Sequence, residues 1–301
     1  MSAGKETTFI SRTASDGKTF RIPVGIITGD RPGPQVTIYG GQHGTEYDGI
    51  EAVQRLYRTL QPSELRGKVV FSLATNEASL LNWIQFAPTS PEIVDMMKEL
   101  AHGSEYLINC HGGEFSEGMC PYVICHLLGD EALDRKAMGM AEAFGFPYIS
   151  FSKYRGPPPE TGVRPAWWLY PAKSMADDLQ IPTITPECGQ RGSRDESSSM
   201  YNGLLNALKY AGVLEGGPES TKKSRTIGDR YWITARQAGL FFPEVDVCQD
   251  VVRGQRLGIV RDYFGNVLQE VDSPDDCKVM NLNWGMPVLE GGFLLWLGKI
   301  E

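Results

Sequence analysis

The sequence lacks a hydrophobic run long enough to cross a bilayer, and its first residues have no apolar stretch typical of a signal peptide. Basic residues are also scarce: 29 Lys and Arg stand against 37 Asp and Glu, a formal net charge of −8. These shortages argue against a membrane protein and against nucleic acid as a partner. The six cysteines form no CxxC pair, so we expect reduced thiols. Together these features predict a cytoplasmic protein.

The chain has enough apolar residues for one large core and a smaller module, at 301 residues and 41% hydrophobic. Strand and helix patterns alternate up to a polar, glycine-containing linker at 214–223. This alternation predicts an α/β fold with a mixed sheet and helices on both faces. Beyond the linker, short strand-like pieces separated by glycine predict a small all-β domain. We therefore expect domains over residues 1–220 and 221–301.

The elements of the larger domain follow from hydrophobic periodicity and β-branched runs. The expected strands are 21–27, 36–39, 68–73, 106–108, 122–125, 147–151 and 181–184, and the expected helices are 50–57, 91–100 and 197–211.

Three short segments each follow a run that is predicted to be a buried strand. They are GQHGTE at 41–46, NCHGG at 109–113 and TPECG at 185–189. Ligands of open α/β sheets bind at the carboxyl ends of the strands, where these segments are expected to lie. The sequence thus predicts that two imidazoles and two carboxylates meet at one edge of the sheet.

Three of these four side chains have the spacing and type of a zinc site. His43 and Glu46 stand three residues apart, His111 adds a second nitrogen, and two His with one Glu leave one coordination position for water. Glu187 fits a general base that takes a proton from the attacking water and passes it to the leaving nitrogen. A single HxxE segment is common as a solvated helix face, and a single strand-end His more often bonds a backbone carbonyl. The combination of three such segments favours a metal hydrolase, with zinc expected and Co²⁺ or Mn²⁺ as alternatives.

The order GxHGxE, strand-end His-Gly and TxExG resembles the succinylglutamate desuccinylase/aspartoacylase family of zinc carboxypeptidase-like hydrolases, over most of the chain. The resemblance implies a zinc-carboxypeptidase-like domain followed by a β-domain. It also implies removal of acyl groups from N-acyl amino acids, including N-acetyl-diaminobutyrate. Carried over to this sequence, one zinc per chain would be held by His43, Glu46 and His111, with Glu187 as the base.

The chain departs from the family where the family has an Asn-Pro motif, an Arg and an Asn-Arg pair. Asn76 is followed by Glu77, Gln85 stands where the first Arg is expected, and no Arg occurs between Phe71 and His111. A guanidinium is the usual partner of a substrate carboxylate. We therefore expect a substrate that is neutral at that end, or one held by an arginine elsewhere in the chain.

The candidates for such a relocated contact lie in two segments after residue 151. The loop at 152–164 contributes Tyr154, Arg155 and Arg164 as candidate substrate-binding residues, and Arg191 follows Glu187. Asn76 and Gln85 complete this set of candidates.

The sequence therefore predicts a zinc amidohydrolase that acts on a small-molecule amide. Two alternatives stay open: a carboxypeptidase-like or ester hydrolase with the same centre, and a non-catalytic metal- or ligand-binding relative. The retention of Glu187 favours an enzyme, because a binding protein has little need of a base beside the metal. Whether the protein forms a homo-oligomer is left open.

Overall fold

A computed structural model describes residues 3–82, 89–152, 170–190, 197–219, 223–285 and 287–301 of the chain. No helix among these residues is both long and apolar enough to span a membrane. The strands of the first two thirds are β1 (Gly4–Thr13), β2 (Thr19–Thr28), β3 (Arg31–Gly40), β4 (Arg66–Ser72), β5 (Tyr106–Gly112), β6 (Glu117–His126), β7 (Tyr148–Ser152) and β8 (Thr183–Gln190). The helices are α1 (Tyr47–Thr59), α2 (Glu77–Leu81), α3 (Pro91–Ala101), α4 (Glu131–Phe144), α5 (Tyr170–Leu179) and α6 (Ser197–Tyr210).

The strands that follow α6 continue the fold without a helix in the described residues. They are β9 (Arg225–Thr234), β10 (Gly239–Pro243), β11 (Asp250–Val251), β12 (Arg256–Arg261), β13 (Val267–Asp272), β14 (Cys277–Asn283), β15 (Pro287–Val288) and β16 (Phe293–Ile300). Four of them form a separate sheet in the order β13-β12-β10-β15. The division of the chain at residue 220 stays a prediction.

The main sheet has twelve strands in the order β1-β2-β4-β3-β5-β8-β6-β7-β9-β16-β14-β11. Its centre is mixed: β3, β5 and β8 run parallel to one another, whereas β6 pairs with β8 in the antiparallel sense. The prediction of an α/β fold with a mixed sheet is therefore confirmed.

Helices cover both faces of this sheet, as expected. On one face, Val53 of α1, Phe144 of α4 and Leu204 of α6 share a core with Ile108 of β5. On the opposite face, α3 and α5 pack over Leu107. Because side chains alternate along a strand, Asn109 and His111 point to the same face as Leu107. The polar edge of β5 is thus built on the face that α3 and α5 cover.

One expectation about the cysteines is wrong. Cys120 of β6 and Cys248, in the loop before β11, form a disulfide with a Cα–Cα distance of 5.1 Å. Their separation of 128 residues leaves no spacing pattern in the sequence, because the pairing depends on how the C-terminal strands pack against β6. Among the described residues, Cys110, Cys125, Cys188 and Cys277 form no disulfide, and all four are buried.

Candidate metal centre

The turn between β3 and α1 carries the first two candidate ligands. His43 lies in the turn, and Glu46 is the residue that immediately precedes the first turn of α1. Gly44 lets this turn pass close to α2: its N–H donates to Ser79 Oγ at 3.1 Å, and a Cβ at this position would lie 2.1 Å from the backbone nitrogen of Leu80. The glycine in the motif is therefore required by the packing of two backbone segments.

The two imidazoles meet at the carboxylate of Glu46. His43 Nδ1 lies 2.6 Å from Oε1, and His111 Nδ1 lies 3.0 Å from Oε2. Each of the three residues offers one ligand atom within 4.8 Å of the others, and all three are at most 5% exposed. The structure thus brings together the three residues that the sequence predicted as metal ligands.

The electrostatics of the cluster follow from burial and from its opposite charges. Burial raises the pKa of the Glu46 carboxyl, but the two nearby imidazoles, His43 and then His111, outweigh it and lower this pKa to about 2. Burial lowers the pKa of His111, but the Glu46 carboxylate outweighs it and raises this pKa to about 9. A metal that takes the Nδ1 position must therefore displace a tightly held proton, so its affinity is expected to increase with pH.

The donor set fits a divalent transition metal. The Glu46 carboxylate is buried, with Oε1 facing His43 Nδ1 at 2.6 Å and Oε2 facing His111 Nδ1 at 3.0 Å. A buried carboxylate between two imidazoles is a costly arrangement unless a bound cation or a proton on the imidazoles compensates its charge. Two nitrogens and one oxygen are also a usual three-ligand set for a catalytic zinc.

Glu187 is placed beside this cluster by strand register. In the parallel pairing of β5 and β8, His111 lies opposite Glu187. Both residues lie within their strands and not beyond the strand ends. Strand β8 pairs with β5 on one side and with β6 on the other. Glu187 is 8% exposed, and its negative charge acts on His111. The carboxylate is thus positioned on the strand next to that of His111, and its role as a general base stays a prediction.

The stretch of β8 after Glu187 fits closely against the start of α1. Gly189 has a φ of +115°, and a Cβ there would lie 2.2 Å from Asp48 Oδ2. Glycine is required on both counts, since a larger residue would be strained and would also displace a buried carboxylate.

Asn76 has a clear structural contact. Its side-chain oxygen accepts a hydrogen bond from the N–H of Ser79 and so caps α2, the helix that Gly44 contacts. Asn76 also lines a cavity of about 220 Å³ with Phe20 and Arg21. A role in substrate binding stays a prediction for Asn76. Gln85, Tyr154, Arg155, Arg164 and Arg191 lie outside the described residues.

The sequence analysis did not predict the contacts of several buried polar residues in the centre. Thr45 donates a hydrogen bond to Glu114, which ties the turn after β3 to the turn after β5. Asn109 Nδ2 lies 2.8 Å from Gln42 Oε1 and 2.9 Å from His111 Nε2. The available signal was alternation: Asn109 stands two residues before His111, so both point to the same face of β5.

The comparisons with known proteins agree with this architecture. Residues 32–88 match the model of the succinylglutamate desuccinylase/aspartoacylase catalytic domain. The N-alpha-acetyl-L-2,4-diaminobutyric acid deacetylase of Halomonas elongata is 28% identical over 277 residues, covering 84% of this chain and 78% of that protein.

Solved structures share the fold over nearly the whole chain. A succinylglutamate desuccinylase/aspartoacylase from Rhodobacter sphaeroides has a TM-score of 0.80 at 23% identity, with 99% of this chain and 97% of that chain covered. The product-bound ectoine utilization protein EutE (DoeB) from Ruegeria pomeroyi has a TM-score of 0.83 at 19% identity, with 98% and 95% covered.

The mixed sheet and the likeness to these solved structures give the chain a carboxypeptidase-like α/β fold. The resemblance to the succinylglutamate desuccinylase/aspartoacylase family that the motifs indicated is therefore confirmed: the catalytic-domain model of that family matches residues 32–88, and solved structures that carry its name share the fold of nearly the whole chain.

Proposed function

We propose that this protein is a zinc-dependent amidohydrolase that removes the acyl group from a small N-acyl amide. The observation that carries the proposal is the convergence of His43 Nδ1 and His111 Nδ1 on the two oxygens of Glu46, at 2.6 and 3.0 Å, in a buried cluster. The relative from Halomonas elongata is a deacetylase, which favours an amide over other substrates of a hydrolase.

The cluster residues would hold the metal, and Glu187 would handle the protons. A bound Zn²⁺ would polarise the scissile carbonyl and make the attacking water more acidic. Glu187 accepts the proton of that water and later donates it to the leaving nitrogen, so that the C–N bond breaks to give an acid and an amine. The position of Glu187 opposite His111 supports this role, since the base must reach a water held near the cluster.

The substrate-binding side of the proposal depends on residues outside the described part of the chain. Gln85 would donate one hydrogen bond to a carbonyl oxygen, and Arg155, Arg164 or Arg191 would take the place of the family's arginines. A location in the cytoplasm belongs to the same proposal.

The test is an assay of the zinc-loaded protein with N-acetyl-2,4-diaminobutyrate, with its carboxamide analogue and with an ester of similar size. The proposal expects turnover of an amide that is lost on chelation and restored by zinc. Faster turnover of the carboxamide would mean a substrate without a free carboxylate at that end. Cleavage of the ester alone would favour the ester-hydrolase alternative, and no turnover by a folded, zinc-loaded protein would favour the non-catalytic one.

A further inference from the structure

A buried amide side chain, which a second buried amide contacts in turn, lies against the outer nitrogen of a candidate metal ligand. Asn109 and Gln42 are 0% and 1% exposed, and Asn109 Nδ2 bridges Gln42 Oε1 at 2.8 Å and His111 Nε2 at 2.9 Å. The inner nitrogen of the same ring, Nδ1, faces Glu46. The ring of His111 is therefore held between the proposed metal position and the amide pair.

The chemistry of imidazole fixes what the amide pair must do when a metal is bound. A ring that binds metal through Nδ1 carries its hydrogen on Nε2, which must then donate a hydrogen bond. The amide of Asn109 offers an oxygen as well as a nitrogen, and a half-turn about its last side-chain bond exchanges the two. A matching half-turn of Gln42 preserves the contact between the two amides, with Gln42 Nε2 as donor to Asn109 Oδ1.

We propose that Asn109, backed by Gln42, is a positioning residue that accepts the Nε2 hydrogen of His111 and so fixes this ring for metal binding. The inference rests on the proposed zinc site. An amide oxygen supplies the acceptor without adding charge to a centre where Glu46, Asp48, Glu114, Glu117 and Glu187 are all buried. The neutral amide thus avoids a further like-charge contact in this region.

The test compares zinc affinity, measured by competition with a chromophoric chelator at fixed pH, for wild type, Asn109→Leu and Asn109→Asp. Loss of such an outer contact typically weakens metal binding about 10- to 100-fold, and we expect this for Asn109→Leu. Asn109→Asp keeps an acceptor oxygen and should bind zinc within about threefold of wild type, or more tightly. The melting temperature of each metal-free variant shows whether it folds.

Asn281→Leu is the matched control, because Asn281 is also a buried asparagine within a strand but lies in β14. It should leave zinc affinity unchanged. Wild-type affinity in a folded Asn109→Leu protein would overturn the inference and leave the proposed function intact. Equal weakening in Asn109→Asp and Asn109→Leu would also overturn it, since the acceptor oxygen would then not matter. A wild type that binds no zinc would overturn the proposed function and this inference with it.

Discussion

His111 on β5 lies directly opposite Glu187 on β8 in the parallel pairing of the two strands. One residue of this pair belongs to the candidate ligand set, and the other is the candidate base. Their relative position is therefore fixed by hydrogen bonds of the sheet and not by a loop. A base that is anchored in this way needs little reorganisation when substrate binds.

Replacing Glu187 with Gln should abolish proton transfer and leave the metal in place. We expect kcat to fall about 10²- to 10⁴-fold, because the amide cannot accept the proton of the attacking water. The zinc content should match that of wild type, since Glu187 is outside the candidate ligand set. Glu290→Gln, at an exposed position, serves as the control. Full activity of Glu187→Gln would remove Glu187 from the mechanism.

Gly44→Ala should disrupt the turn that carries His43 and Glu46. The added methyl group would lie 2.1 Å from a backbone nitrogen of α2, so the turn must move away from that helix. We expect weaker zinc binding and a lower melting temperature, both measured on the purified variant. Gly217→Ala has open space around the added methyl and should change neither quantity. A Gly44→Ala protein with normal zinc affinity would show that the close approach is not needed.

His126 should make the free energy of unfolding depend on pH in mildly acidic solution. Burial, followed by the charge of Lys173, lowers the pKa of this histidine from 6.5 to about 3 in the folded protein. The unfolded chain then binds the proton more readily, so stability is lost as the pH falls below about 6.5. Between pH 7.5 and 5.5, His126 should contribute a loss of about 1.4 kcal/mol.

Urea unfolding at the two pH values measures this contribution. His126→Gln should show a smaller loss than wild type by that amount, whereas His102→Gln, at an exposed position, should behave as wild type does. An identical pH dependence in wild type and His126→Gln would mean that His126 is charged in the folded state as readily as in the unfolded chain.

The Cys120–Cys248 disulfide should stabilise the protein, because it closes a long loop in the unfolded chain. A native disulfide typically contributes about 2–4 kcal/mol, so reduction should lower the melting temperature by roughly 3–8 °C. The double variant Cys120→Ala/Cys248→Ala should melt at the same temperature with and without reductant. A wild-type melting temperature that does not respond to a reductant would contradict the role of this bond.

Much of the fold could be predicted because its apolar runs are clear. The strand preceding His43 and the helices α3 and α6 have strong periodicity, and α3 begins at Pro91 with Ser90 as its cap. Helix α4 was missed although Asp130 caps its start and Gly145 follows its end in the left-handed region. Strand β1 was missed because it is mostly exposed and pairs only with β2 among the described residues.

In the candidate site, too, residues in local motifs could be predicted from the sequence, and contacts made by tertiary packing could not. His43, Glu46 and His111 could be named because each stands beside a glycine or in a short motif after a strand. The amide pair of Gln42 and Asn109 could not, because its contacts join residues 67 positions apart. The pairing of Cys120 with Cys248 could not be predicted for the same reason, because tertiary packing brings together residues that share no local pattern.

The most direct test of the account is the metal content of purified protein, measured by mass spectrometry for wild type and for His43→Ala. The account predicts about one zinc per wild-type chain and almost none in the variant, because each candidate ligand supplies one of three protein atoms to the metal. A folded wild type that holds no metal even after zinc is offered would contradict it, and so would equal zinc content in His43→Ala.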